Sequence, residues 1–167
     1  NEQLHIQSIR DDLTQLYNRR GFMKLGNEYY ETAKRNDISF LLLYADLDGL
    51  KMINDQFGHS EGDYAIASTA KILNKTFRNS DIISRLGGDE FTVIISSASN
   101  KDEKDIRNRI QRYCDLHNEL SKKPYKLSIS LGFAYFCPEN PCSFEDLMKA
   151  ADKALYEDKQ SKLNDDQ

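Results

Sequence analysis

The chain has 167 residues, 39% hydrophobic and 30% charged, a length that suits one domain burying its own core, and no run is long and apolar enough to span a membrane. Its formal net charge of −4 lacks the basic footprint of a duplex nucleic-acid binder, though a few local Lys and Arg can still hold a small phosphorylated ligand. Cys114, Cys137 and Cys142 make an odd set without zinc-ligand spacing; with no secretory signal, they are expected to be reduced thiols of a cytosolic domain.

Residues 1–10 are polar with scattered Leu4, Ile6 and Ile9 and are expected to be the end of a linker helix. Starting at Asn1 without Met, the chain is expected to be a piece of a longer protein. The turn- and cap-forming segment from Asp11 to Arg20 precedes a predicted helix over Phe22 to Arg35, with Phe22, Leu25, Tyr29 and Ala33 on one face. Ile38 to Ala45 is a continuous apolar run, expected as a central strand buried on both faces, with Phe40 and Tyr44 in the core. It ends in Asp46-Leu47-Asp48-Gly49. A short helix over Leu50 to Phe57, a turn through Gly58 to Asp63 and a longer helix to Phe77 follow. Ala65, Ile66, Thr69, Ile72 and Leu73 form the apolar face of the longer one.

Ile82 to Leu86 and Phe91 to Ile95 read as strands joined by Gly87-Gly88-Asp89-Glu90, a hairpin signal. A charged helix is predicted over Asn100 to Leu120, and alternation of Leu127, Ile129, Leu131 and Phe133 predicts a strand over Lys126 to Phe136. Ser143, with Asp146 three residues on, marks the start of a last helix over Phe144 to Lys159. The order α-β-α-α-β-β-α-β-α, without its first helix, is close to a ferredoxin-like core. It predicts an α+β sandwich, a mostly antiparallel central sheet flanked by helices.

Two carboxylate-bearing turns stand out: Asp46-Leu47-Asp48 after the central strand and Asp89-Glu90 in the Gly-Gly hairpin. If the strands are neighbours, these acids meet at one edge of the sheet, where a hard divalent cation takes one or two carboxylates together with substrate phosphates. An EF-hand is excluded because Lys51 and Phe57 stand where its Gly and Glu belong. No P-loop pattern occurs. Taken singly, each turn is also compatible with a solvated loop, Asn54 and Asp63 with helix caps, Lys51 and Lys159 with surface lysines, and His59 with a turn residue.

The segment Arg85-Leu86-Gly87-Gly88-Asp89-Glu90-Phe91 resembles the signature of the GGDEF family of diguanylate cyclases. Further resemblances fall in order along nearly the whole chain: Asp11 to Arg20, with Gln15 where Gly is common; Asp46 to Asp55, with Leu50 for a frequent Phe; Gly58 to Asp63; and Ala151 to Tyr156. The resemblance implies a nucleotidyl-cyclase-like fold, with residues 1–10 as linker and 11–167 as the cyclase domain. It implies that two GTP are condensed into cyclic di-GMP with Mg²⁺ or Mn²⁺. Asp46 and Asp89 would bind metal through their side chains and Leu47 through its carbonyl, and Glu90 would assist catalysis. Asn54 and Asp63 would read guanine, whose N–H edge suits a carboxylate and an amide. Lys51 and Lys159 would hold phosphates, and Gly87 and Gly88 would admit the nucleoside.

Arg78-Asn79-Ser80-Asp81 is similar to the family's product-inhibition motif, which makes Arg78 and Asp81 an allosteric site for cyclic di-GMP. The resemblance further implies a catalytic homodimer driven by an upstream sensory domain, in the cytoplasm, with no nucleic-acid partner and no direct membrane contact by this domain, although the parent protein is allowed a membrane anchor. One departure concerns the tail. Leu163 stands where the family often has Arg, leaving Lys162 as an imperfect substitute. That departure is the best support for the alternative, a catalytically silent domain that binds GTP or cyclic di-GMP.

Overall fold

In the computed structural model, which describes residues 8–165, nine main elements follow the predicted order. They are α1 (Arg19–Arg35), β1 (Phe40–Leu47), α2 (Leu50–Phe57), α3 (His59–Thr76), β2 (Ile82–Gly87), β3 (Glu90–Ile95), α4 (Glu103–Ser121, after a 3-10 turn at Asn100–Asp102), β4 (Ile129–Phe136) and α5 (Phe144–Asp165). The strands form one antiparallel sheet in the order β2-β3-β1-β4. The expectation for residues 1–10 lies mostly outside the described residues. Ser8 to Arg10 are not helical, and Arg10 instead bridges to Tyr17.

β1 is apolar throughout because it separates two cores. Leu41, Leu43, Ala45 and Leu47 pack with Ile53, Ala65, Ile66, Leu73 and Ile110 from α2, α3 and α4. Phe40, Leu42 and Tyr44 pack on the other side with Phe22, Tyr30, Ala33, Leu147 and Ala151 from α1 and α5. The strand runs to Leu47, two residues beyond the predicted end, because Asp46 is paired on both sides, to Glu90 and to Ser130.

α1 starts at Arg19 rather than Phe22, since the Asn18 side chain accepts from the Gly21 amide at 2.9 Å and caps it. Its buried face is Phe22, Gly26, Tyr30 and Ala33, with Leu25 and Tyr29 only half-buried. Gly26 turns the contact that way: a Cβ there would stand 3.0 Å from the Phe144 ring. β4 starts at Ile129, not Lys126, because Asn118 takes over the pairing of Leu127, accepting from its amide (2.7 Å) and donating to its carbonyl (2.9 Å). α5 begins as predicted, with the Ser143 hydroxyl accepting from the Asp146 amide at 3.0 Å. It continues past Lys159 to Asp165, its last turns pinned to the sheet by Asp158 and Lys162.

Helix α5 lies directly on β4 at Gly132, where an added Cβ would collide with the backbone of Ala151 and Leu155. Backbone cannot swing aside as a side-chain tip can, so overpacking here costs more than in a pliable core. Gly132→Ala is expected to destabilise the domain by about 1–3 kcal/mol or more, read from the urea midpoint; an unchanged midpoint would show that α5 can ride higher on the sheet.

Candidate active site

The site forms where β1, the β2–β3 hairpin and the second half of α5 converge. Asp46 and Glu90 are direct cross-strand partners, so their side chains share one face of the sheet. Like charges so placed repel, and Asp46 is also only 4% exposed. Its Oδ2 is held by the Lys159 ammonium. Its Oδ1 is buried with no hydrogen-bond partner. A buried polar oxygen left unpaired is expensive, and this one lies beside a second acid at the mouth of an open site.

Asp89 stands at the hairpin tip, and its carbonyl accepts from the Leu47 amide at 3.0 Å, tying the tip to the end of β1. Burial pushes the Asp89 carboxyl above its ordinary range, and the nearby Asp48 carboxylate adds to the rise. Gly87 (φ +146°) and Gly88 (φ +50°) take backbone conformations that side chains resist. Gly87 also sits at a register shift in the β2–β3 pairing. These features fit a divalent cation: an orphaned Asp46 oxygen, a second carboxylate at Asp89 and open space for other ligands. Among the described residues no group of three or more His, Cys, Asp or Glu side chains is arranged around a metal position. A cation here would therefore complete its shell with phosphate and water, as Mg²⁺ commonly does.

Asp48 is engaged differently. It accepts from the Ser128 and Ser130 hydroxyls (both 2.7 Å) and from Lys162 (2.9 Å). Lys162 further donates to the Ile129 carbonyl (2.8 Å) and the Ser128 hydroxyl (3.2 Å), so its three N–H donors are all used. Lys162 therefore does not offer a free cation in place of the missing Arg, and Leu163 beside it is 57% exposed.

Asn54 on α2 lies against Gly62 of α3, the residue before Asp63. Gly62 is what permits this: a Cβ there would collide with the Asn54 side-chain oxygen. Neither Asn54 nor Asp63 caps a helix. Gly58 occupies both the end of α2 and the start of α3, and Asp63 is exposed within α3. Lys51 is exposed in the first turn of α2. His59 opens α3 and is exposed.

Arg78 and Asp81 sit at the other end of the hairpin, roughly 20 Å from its tip by strand rise. Asp81 is buried and accepts from the Arg78 amide (2.8 Å), the Ser96 amide (2.9 Å) and the Ser96 hydroxyl (3.0 Å). Arg78 donates to the Ser96 carbonyl (2.8 Å) while its side chain stays 65% exposed.

Residue-type reasoning missed the clasp that holds the hairpin. Arg85 donates to the Gly88 carbonyl (3.1 Å) and to both Asp11 oxygens (3.1 and 3.2 Å). Asp11 also accepts from the Thr14 amide (3.0 Å) and hydroxyl (2.8 Å). The clue was an Arg beside the glycines and an Asp-x-x-Thr turn, but nothing in their spacing, 74 residues apart, announces the pair. Gly62 was the other missed residue; its clue was a glycine inside a helical pattern.

The family profile described as "Diguanylate cyclase, GGDEF domain" matches residues 8–165. Diguanylate cyclase DgcP of Escherichia coli K12 is 34% identical over 163 residues, covering 97% of this chain and 48% of that protein. Probable diguanylate cyclase DgcC of the same strain is also 34% identical, covering 96% of this chain and 43% of that protein. The chain thus spans about half the length of the curated relatives it matches. Among solved structures, the isolated GGDEF domain of YfiN (TpbB) from Pseudomonas aeruginosa superposes with a TM-score of 0.82 at 30% identity, covering 91% of this chain and 89% of that one. This chain belongs to the GGDEF diguanylate cyclase family.

Burial alone would raise the Asp11 pKa, but the Thr14 hydrogen bonds and Arg85 outweigh it and hold the carboxyl below its usual range. A carboxyl depressed in the folded state adds stability above its unfolded pKa, near pH 4, and loses it as pH falls through the folded value. Asp11→Asn is therefore expected to lower the urea midpoint at pH 7, with the gap to wild type closing below about pH 4. An equal gap at pH 7 and pH 3 would show that the carboxylate charge is not what the clasp uses.

Proposed function

We propose that this domain is an active diguanylate cyclase that joins two GTP into cyclic di-GMP and releases pyrophosphate. The observation that carries the reading is the orphaned Asp46 oxygen, buried opposite Glu90 and beside the Gly87-Gly88-Asp89 tip. Mg²⁺ or Mn²⁺, held by the Asp46 and Asp89 carboxylates and the Leu47 carbonyl, would supply charge stabilisation for the phosphates.

The chain's own residues supply the rest. The Asn54 amide and the Asp63 carboxylate pair with the guanine edge, and an analogue lacking those N–H groups would leave Asp63 unmatched. Lys51 is free to meet the phosphates. Lys159, already beside Asp46, balances the carboxylate cluster and meets them from the α5 side. The 3′-oxygen of one GTP forms a bond to the α-phosphorus of the other as that phosphorus loses its bond to the pyrophosphate oxygen, and Glu90 takes the 3′-hydroxyl proton. The same step in the opposite sense closes the ring. One domain offers one guanine position, so two domains face each other as a homodimer, and the rate comes mainly from that positioning. An upstream sensory domain would set the pairing, in the cytoplasm. The product would act back through Arg78, whose exposed guanidinium is open to phosphate or guanine, with Asp81 holding the turn.

One observation favours a second reading, a silent receptor for GTP or cyclic di-GMP. Leu163 is exposed and the Lys162 donors are spent, so neither supplies a cation to the γ-phosphate where the family often has Arg. GTP turnover with Mg²⁺ at high protein concentration, with products separated by chromatography, decides between the two. Cyclic di-GMP from wild type, with Glu90→Gln slower by about 100-fold or more, supports the cyclase. Nucleotide binding without product from either supports the receptor. Arg78→Ala is expected to weaken product binding roughly tenfold or more by calorimetry while leaving GTP binding intact; unchanged product affinity would remove Arg78 from the inhibitory site.

A further inference from the structure

On the α1–α5 side of the sheet a cavity of about 490 Å³ opens between the two helices, lined by Tyr44, Met23, Phe144 and Met148 and, for the rest, by polar and charged side chains, Arg19 and Asp152 among them. Its volume falls in the range of small-molecule sites, which are mostly apolar with a few converging polar groups. The walls are unusual in composition. The chain has only three methionines, and two of them line this one cavity. Thioethers adapt their shape and favour the edges and faces of aromatic rings.

The lining offers a polar group that the protein itself does not use. Tyr44 is 8% exposed, yet among the described residues its hydroxyl has no hydrogen-bond partner, unlike the buried Tyr30, whose hydroxyl donates to the Cys142 carbonyl at 2.6 Å. The Tyr44 oxygen is not among the buried side-chain atoms left without a partner, so solvent, or a ligand in the cavity, can reach it. Asp152 lines the same cavity as Tyr44. Asp152 is exposed and makes no ion pair among the described residues, whereas Lys149 beside it is paired with Glu145 at 3.3 Å.

We propose that this cavity binds a flat heteroaromatic molecule bearing N–H donors, its ring held between Met23, Phe144 and Met148 and its donor edge turned toward the Tyr44 oxygen and the Asp152 carboxylate. The site is separate from the guanine-reading position, because Asn54 and Asp63 sit on α2 and α3 and those helices pack on the opposite face of the sheet. It nevertheless adjoins the carboxylates. Asp152 and Lys149 also line a neighbouring hollow of about 390 Å³ that contains Asp46, Glu90 and Lys159. A bound ring would thus be one residue away from the reacting groups without occupying their place.

The three methionines make the test direct. Protein carrying ¹³C-methyl methionine is titrated with 2-aminobenzimidazole, and the methyl signals are assigned by single Met→Leu substitutions. Met23 and Met148 are expected to shift on a common saturable curve. Met52, 50% exposed on α2, lies outside the cavity and is expected to stay still. Tyr44→Phe keeps the ring and removes the hydroxyl, and is expected to weaken the affinity about five- to tenfold. Asp152→Asn, at an exposed position, is expected to do the same without disturbing the fold. Unmoved Met23 and Met148 signals at millimolar probe, equal shifts of all three methyls, or undiminished affinity in both variants would overturn the proposal. No turnover is measured, so the result stands whether or not the domain is an active cyclase.

Discussion

One carboxylate organises this domain. Asp46 is placed by β1 between two neighbours in the middle of the sheet, where water cannot reach it freely, and it faces a second acid across the ladder. Burying a charge is tolerable only when it is paired. Lys159 answers one oxygen and leaves the other unanswered. The rest of the site is arranged around that imbalance: α5 comes close enough to deliver an ammonium, and the hairpin tip is held over the end of β1.

The nearness of α5 is obtained by removing side chains. Gly132 on β4 allows the helix backbone to lie on the strand, and Ala151 continues the small-residue contact from the helix side. The hairpin tip is held by other means. The bond from the Leu47 amide to the Asp89 carbonyl fixes its height over β1, and Arg85 fixes its direction by gripping both Gly88 and Asp11. Stored order of this kind lets a site react with little rearrangement, since the positions are settled before substrate arrives. Asp48, two residues from Asp46 and chemically the same, is instead satisfied four times over by Ser128, Ser130 and Lys162 and by its own amide bond to the Ser128 carbonyl. The two acids of one Asp-x-Asp run therefore have separate tasks, one structural and one left open.

Periodicity revealed the elements because each helix has one apolar stripe and β1 is buried on both sides. The turn residues Gly87, Gly88 and Ser143 revealed where chain direction changes. The acids could be singled out because they interrupt or follow apolar runs. What pattern reading could not supply were pairings across the fold. Asn118 standing in for a strand partner of Leu127, Lys162 spending its donors on Asp48, and Arg85 reaching Asp11 are all contacts between residues whose local sequence looks ordinary. For the same reason the end of α5 was placed too early: its last turns are held by the sheet rather than by their own apolar pattern. Asn54 and Asp63 were compatible with caps until the helix boundary fell at Gly58 and removed that role.

Both outer strands of the sheet have part of their free backbone rows occupied by the chain itself. Tyr17 donates to the Ile83 carbonyl and accepts from the Arg85 amide along β2. Along β4, Asp158 accepts from the Leu131 amide and Lys162 donates to the Ile129 carbonyl. An open strand edge is a template for joining another chain by backbone pairing, and here each edge is partly taken. Backbone pairing of a second chain over these stretches would first have to displace those contacts.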